Sequence, residues 1–150
     1  MGKIISLLVF LALVGCAAYF GAAYQPGPFY AALAKPAWTP PDWLFAPVWT
    51  VLYVMIAIAG WLVWRARSFG VALAIWFLAL ALNAAWSYLM FGQKRIDFAF
   101  IDIVLLLLAI VAFIVAARPI DRRASLLFVP YLLWVGYATA LNFAILRLNG

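Results

Sequence analysis

Apolar residues in this chain run continuously rather than alternating with polar ones, and five runs account for nearly all of it. They lie near residues 4–23, 44–64, 71–91, 98–117 and 126–146, separated by stretches that collect the charged, glycine and proline residues. At a rise of about 1.5 Å per residue, about 20 apolar residues span the hydrocarbon core of a bilayer, so each run has the length of a transmembrane helix. The pattern argues against strands, because a barrel needs about eight or more short segments of alternating hydrophobicity. The expected fold is all-α: an integral membrane bundle of five transmembrane helices, one domain over residues 1–150. Links at 65–70, 92–97 and 118–125 are short, which makes sequential helices antiparallel neighbours.

The exception is the link at 24–43. Residues 35–53, K-P-A-W-T-P-P-D-W-L-F-A-P-V-W-T-V-L-Y, hold four of the eight prolines and three of the eight tryptophans. Pro36, Pro40 and Pro41 remove backbone donors and fix φ, so the stretch before Trp43 is expected to be a stiff extended or turned loop. Pro47 falls in the first turn of the helix that follows, where a missing N–H costs least. The stretch reads as a rigid aromatic lid leading into the second helix. Near the N-terminus, Leu13-Val14-Gly15-Cys16 looks like a bacterial lipoprotein signal. The apolar run continues past Cys16 to spanning length, however, so the first helix is expected to be retained.

Composition fixes the class. With 71% hydrophobic and 9% charged residues, the chain has too little polar surface for a soluble domain and reads as a multi-pass integral membrane protein. A single cysteine and no histidine argue against a disulfide, a metal centre or ligated haem, so no metal and no required cofactor are expected. The net charge of +6 is spread over helix ends, without the long basic run that nucleic-acid binding needs. Its expected counterparts are lipid phosphates and an anionic ligand entering between helices. Lys3, Arg65, Arg67, Arg118, Arg122 and Arg123 on one side outnumber Lys35, Lys94, Arg95 and Arg147 on the other, a weak bias toward a cytoplasmic N-terminus. The expected location is a bacterial membrane, inner or outer.

Laying the helices antiparallel assigns depth to the polar residues. Trp49 and Tyr53, Asn83, Trp86 and Ser87, Asp102, and Ala138, Leu141 and Asn142 fall in the half of the bilayer beneath the lid, with Trp134 near mid-depth. Polar groups avoid lipid, so a shared cavity under the lid would satisfy them together. Its wall would be aromatic with a few amides and hydroxyls, suited to a flat, mostly apolar ligand such as a tetrapyrrole or a sterol. Plainer readings stand beside this one. Trp38, Trp43, Trp61 and Trp64 serve equally as interfacial anchors. Asn83 and Asn142 either bond across helices or meet a ligand. Asp102 either pairs with Lys94 or Arg95 or stays protonated, and Asp97 is a solvated partner of the same basic pair. Small residues at four-residue spacing, such as Gly136, Ala140 and Ala144, suit close helix packing or dimerisation.

The lid, the third-helix segment L-N-A-A-W-S-Y-L-M-F-G-Q-K-R and the fifth-helix segment F-V-P-Y-L-L-W-V-G-Y-A-T-A-L-N resemble the TspO/MBR family over almost the full length. These are the tryptophan-rich sensory proteins, whose animal members are the translocator protein or peripheral benzodiazepine receptor. The resemblance implies a homodimer of five-helix bundles with a pocket below the first long loop for porphyrins such as protoporphyrin IX and for benzodiazepine-site ligands. Carried over, that pocket uses Trp38 and Pro41 from the lid, Phe45, Trp49 and Tyr53 from the second helix, Asn83 from the third, and Trp134, Ala138 and Leu141 from the fifth. Animal members also bind cholesterol. Here Phe143 stands where a tyrosine would strengthen the sterol pattern, so porphyrin is the better-supported ligand. The function implied is sensing, scavenging or transport of a tetrapyrrole. The alternatives are light- and oxygen-dependent breakdown of protoporphyrin, with Trp49 and Trp134 as redox partners, and a regulatory subunit holding lipid or sterol. No acid–base pair or activated nucleophile is present for hydrolytic or transfer chemistry, so no catalytic residue is assigned.

Overall fold

The computed structural model describes residues 2–24 and 26–150, and the regular structure among them is helical. In chain order the helices are α1 (Lys3–Ala22), α2 (Gly27–Ala32), α3 (Phe45–Arg67), α4 (Val71–Ser87), α5 (Ile96–Ala117), α6 (Arg122–Leu127) and α7 (Val129–Asn149). Five segments are long and apolar enough to cross a membrane: α1, α3 with a leading 3₁₀ turn, α4 with a trailing π-helical turn, α5, and α6 with α7. These are the five expected spans, shifted at their ends by a few residues.

Three local departures have identifiable causes. The long link contains α2, which Pro28 starts with a preset φ. The fifth span begins earlier than expected, at Arg122, and breaks at Phe128, because Pro130 lacks the N–H that would bond back to Leu126. The third span ends in a π-helical turn, Tyr88–Gly92, which makes room where Tyr24 packs: a Cβ on Gly92 would lie 2.8 Å from Tyr24 Cδ1.

The spans close into a ring. Helix α1 packs on α3 and α4, α5 packs on α4 and α7, and α6 with the start of α7 completes the circle against α3. The sequential neighbours expected from short links are present, and two non-sequential contacts, α1 with α4 and the fifth span with α3, close the bundle. Small residues allow the approach: Ala57, Ala59 and Gly60 are buried on α3, and Gly60 faces the fully buried Trp76 of α4. Trp61 and Trp64, anchors by sequence, also brace α1, through a 3.0 Å bond from Trp61 Nε1 to Ser6 Oγ and a ring contact of Trp64 with Phe10.

Asp121 caps α6. Its carboxylate accepts from Arg123 N at 2.9 Å and from the Arg123 guanidinium, which holds the carboxyl below the usual range. Asp121→Ala is expected to lower stability by about 1 kcal/mol at neutral pH. A depressed pKa contributes stability above the unfolded value and loses it as pH falls through the folded one. The gap between the two proteins should therefore close on acidification, measured by thermal unfolding in detergent.

Candidate functional site

The lid is tied down at both ends. Thr39 bonds back to the Pro36 carbonyl through Oγ1 (2.8 Å) and N (3.1 Å), and Leu44 N donates to Pro41 O at 3.0 Å to start the 3₁₀ turn. Asn149, at the end of α7, donates to Ala34 O at 2.8 Å and accepts from Ala34 N at 3.0 Å. The Tyr137 hydroxyl of α7 donates to the Trp38 carbonyl while the two rings meet edge to face. The stiff turned loop expected from the prolines is thus fastened along α7.

Beneath it, the stripe Phe45, Trp49 and Tyr53, four residues apart on α3, faces the stripe Tyr131, Trp134 and Ala138 on α7. The two stripes meet in two aromatic groups. In the outer one Phe45 lies edge-on to Trp134 at 5.9 Å, and Trp134 stacks on Tyr137 at 5.9 Å with planes 5° apart. In the deeper one Trp49 contacts Tyr53 at 5.4 Å and Tyr131 at 6.3 Å. A polar chain runs through this group: the Tyr53 hydroxyl donates to Asn83 Oδ1 at 3.2 Å, and Asn83 Nδ2 donates to the Tyr131 oxygen at 2.6 Å. Asn83 therefore does bond across helices, and it does so inside the expected site. Trp134 Nε1, by contrast, is buried with no acceptor among the described residues.

Of the nine expected site residues, Phe45, Trp49, Tyr53, Asn83 and Trp134 come together in these two groups, Trp38 reaches them through Tyr137, and Ala138 packs on the same core. Pro41 is exposed at the entry to the 3₁₀ turn, and Leu141 sits apart in a second core cluster with Met90, Ala99 and Ile145. Tyr131 and Tyr137 were not singled out by sequence reasoning. Both lie three residues from Trp134, so the helical period could have found them. Asn142 is a cross-brace: it accepts from Trp86 Nε1 at 2.9 Å and donates to Ile96 O at 3.2 Å, joining α4, α5 and α7.

Charge gathers at the lid end. Arg95 and Asp97 form a two-point pair at 3.0 and 2.7 Å, which raises the Arg95 pKa and makes Asp97 the partner expected from sequence. The Lys35 ammonium donates to Leu33 O at 3.1 Å and lies 4.7 Å from the Tyr30 ring. Burial, and then the Asp42 charge, push the Tyr30 phenol up. On the outer surface, an apolar groove of about 650 Å³ runs between α3 and α7; of the nine expected residues it touches Trp134.

This architecture has relatives. The model of the TspO/MBR family matches residues 6–148. The chain belongs to that family. It is 39% identical to the tryptophan-rich protein TspO of Chlorobaculum tepidum, over 98% of each chain. It is 40% identical to the tryptophan-rich sensory protein of Cereibacter sphaeroides, over 95% of this chain and 90% of that one. The human translocator protein is 36% identical over 81% of this chain and 75% of its own. TspO/MBR membership and five apolar spans together make this a multi-pass integral membrane protein.

Proposed function

We propose that this protein binds a flat, largely apolar ligand of the tetrapyrrole class, with protoporphyrin IX as the type compound, between α3, α4 and α7 beneath the lid. The observation that carries the reading is the pair of aromatic groups around Trp49 and Trp134, crossed by one polar chain and holding a buried indole N–H without an acceptor. Aromatic walls supply apolar area and π faces, and a few fixed polar groups orient what lies between them. Lys35 and Lys94 at the lid end suit the carboxylates of such a ligand. Two relatives carry the names sensory protein and translocator protein; sensing and transport both begin with holding the ligand, and the site suits either role.

Trp134→Ala and Tyr53→Ala are each expected to weaken protoporphyrin IX binding about tenfold, the value of one lost aromatic contact. Equilibrium titration of the detergent-solubilised variants checks this, and unchanged affinity in both would overturn the site.

A further inference from the structure

The end of the bundle opposite the lid gathers charge of one sign. Lys3, Arg65, Arg67, Arg118, Arg122 and Arg123 lie there, and the one acid at that end, Asp121, is taken by Arg123. The Arg65 guanidinium lies 4.9 Å from the Trp61 ring. Arg67 and Arg118 are exposed and have neither an ion pair nor a hydrogen bond among the described residues. Arg67 also stands in the wall of a cavity of about 190 Å³ between the ends of α3, α4 and α5. Val63 of α3, Leu73 of α4, and Ala116 and Ile120 around the end of α5 line it, and Arg67 is the only lining residue with a polar side chain. Arg118 lies in the turn between Ala116 and Ile120. At the rim, the apolar side chains of Phe69 and Val71 are 68% and 76% exposed.

We infer that this cavity is a site for an anionic membrane lipid, with the Arg67 guanidinium on the phosphate and the start of the acyl chains against Val63, Leu73 and Ile120. A guanidinium is a planar fork of donors that fits a pair of phosphate oxygens, and basic pockets between transmembrane helices take anionic head groups. The excess of cations around the cavity favours a head group of net negative charge. The apolar walls and rim favour a lipid over free phosphate. At the end of a span, exposed apolar side chains such as Phe69 and Val71 lie against acyl chains, and a hydrated ion gains nothing from them. A lipid held there bridges α3, α4 and α5 at the end that no lid braces. The site lies at the far end of the bundle from the aromatic groups beneath the lid and does not depend on what binds them.

The test titrates the full chain in an uncharged detergent with dioctanoyl phosphatidylglycerol and with dioctanoylglycerol, the same chains without the phosphate, following the shift in thermal unfolding. Wild type is expected to bind the phosphatidylglycerol about tenfold more tightly, the value of one charge-assisted hydrogen bond. Dioctanoyl phosphatidylcholine, whose ammonium meets the surrounding arginines, should bind more weakly than the phosphatidylglycerol, and inorganic phosphate should give no shift at the same concentration. Arg67→Gln should lose the preference for phosphatidylglycerol over dioctanoylglycerol, whereas Arg122→Gln, which removes a cation at the same end but outside the cavity, should keep it. Equal affinities of wild type for the phosphatidylglycerol and either other lipid would overturn the inference, whatever the variants do. Equal loss in the two variants would overturn it in favour of diffuse surface charge. A shift with inorganic phosphate equal to that with phosphatidylglycerol would overturn the lipid as occupant.

Discussion

Trp76→Ala is expected to lower the unfolding free energy by about 3–5 kcal/mol, the largest stability loss of any single change considered for this bundle. Trp76 is wholly buried at the meeting point of three spans. Its Nε1 donates to Ile56 O of α3 at 2.9 Å, its ring stands edge-on to Phe10 of α1 at 5.2 Å, and the indole edge at Nε1, Cε2 and Cζ2 lies against Gly60. In lipid, helices are not driven together by the hydrophobic effect, so the contacts this ring makes are the association energy itself. Trp76→Phe keeps most of those contacts and loses the hydrogen bond, at about 1 kcal/mol. The reciprocal change, Gly60→Val, brings a Cβ to 2.5 Å from Trp76 Cε2 and should cost about 1–3 kcal/mol through overpacking. Denaturant unfolding in one detergent ranks the three. An alanine variant as stable as wild type would show that α1, α3 and α4 do not pack as described.

Ala138→Phe is expected to produce the largest change in ligand affinity, about ten- to a hundredfold weaker protoporphyrin IX binding, the equivalent of overpacking a filled site. Ala138 lies on α7 one turn from Trp134, on the face that packs into the bundle core. A phenyl group there competes for the ligand's volume without removing any group that holds it. Ala81→Phe, on the exposed face of α4, adds the same volume toward lipid and should leave affinity unaltered. Equal loss in both variants would trace the effect to general disturbance of the bundle.

The sequence made the five spans legible because length and apolarity alone determine a membrane helix, and neither depends on tertiary contacts. Their closure into a ring was not legible: it depends on which faces meet, and helices apolar on every side carry almost no periodic signal to say so. The break at Phe128 was foreshadowed by Pro130, but a continuous apolar run from Leu126 outweighed it. Within the site, the stripe on α3 was readable from Trp49 and Tyr53 at four-residue spacing. Tyr131 gives a weaker signal, because a single tyrosine in an apolar span packs as readily as it bonds, although its hydroxyl completes the chain through Asn83. That Asp102 Oδ2 has no partner among the described residues could not be read from spacing, since Arg95 lies two turns from it and could reach it, but Asp97, two residues away, takes the guanidinium.

The most direct test of a ligand held beneath the lid is tryptophan fluorescence quenching by protoporphyrin IX in the dark, wild type beside Ala138→Phe. Saturable quenching in wild type, shifted to higher ligand concentration in the variant, is the predicted result. Linear quenching that never saturates and is the same in both proteins would mean partition into detergent, and would contradict the site.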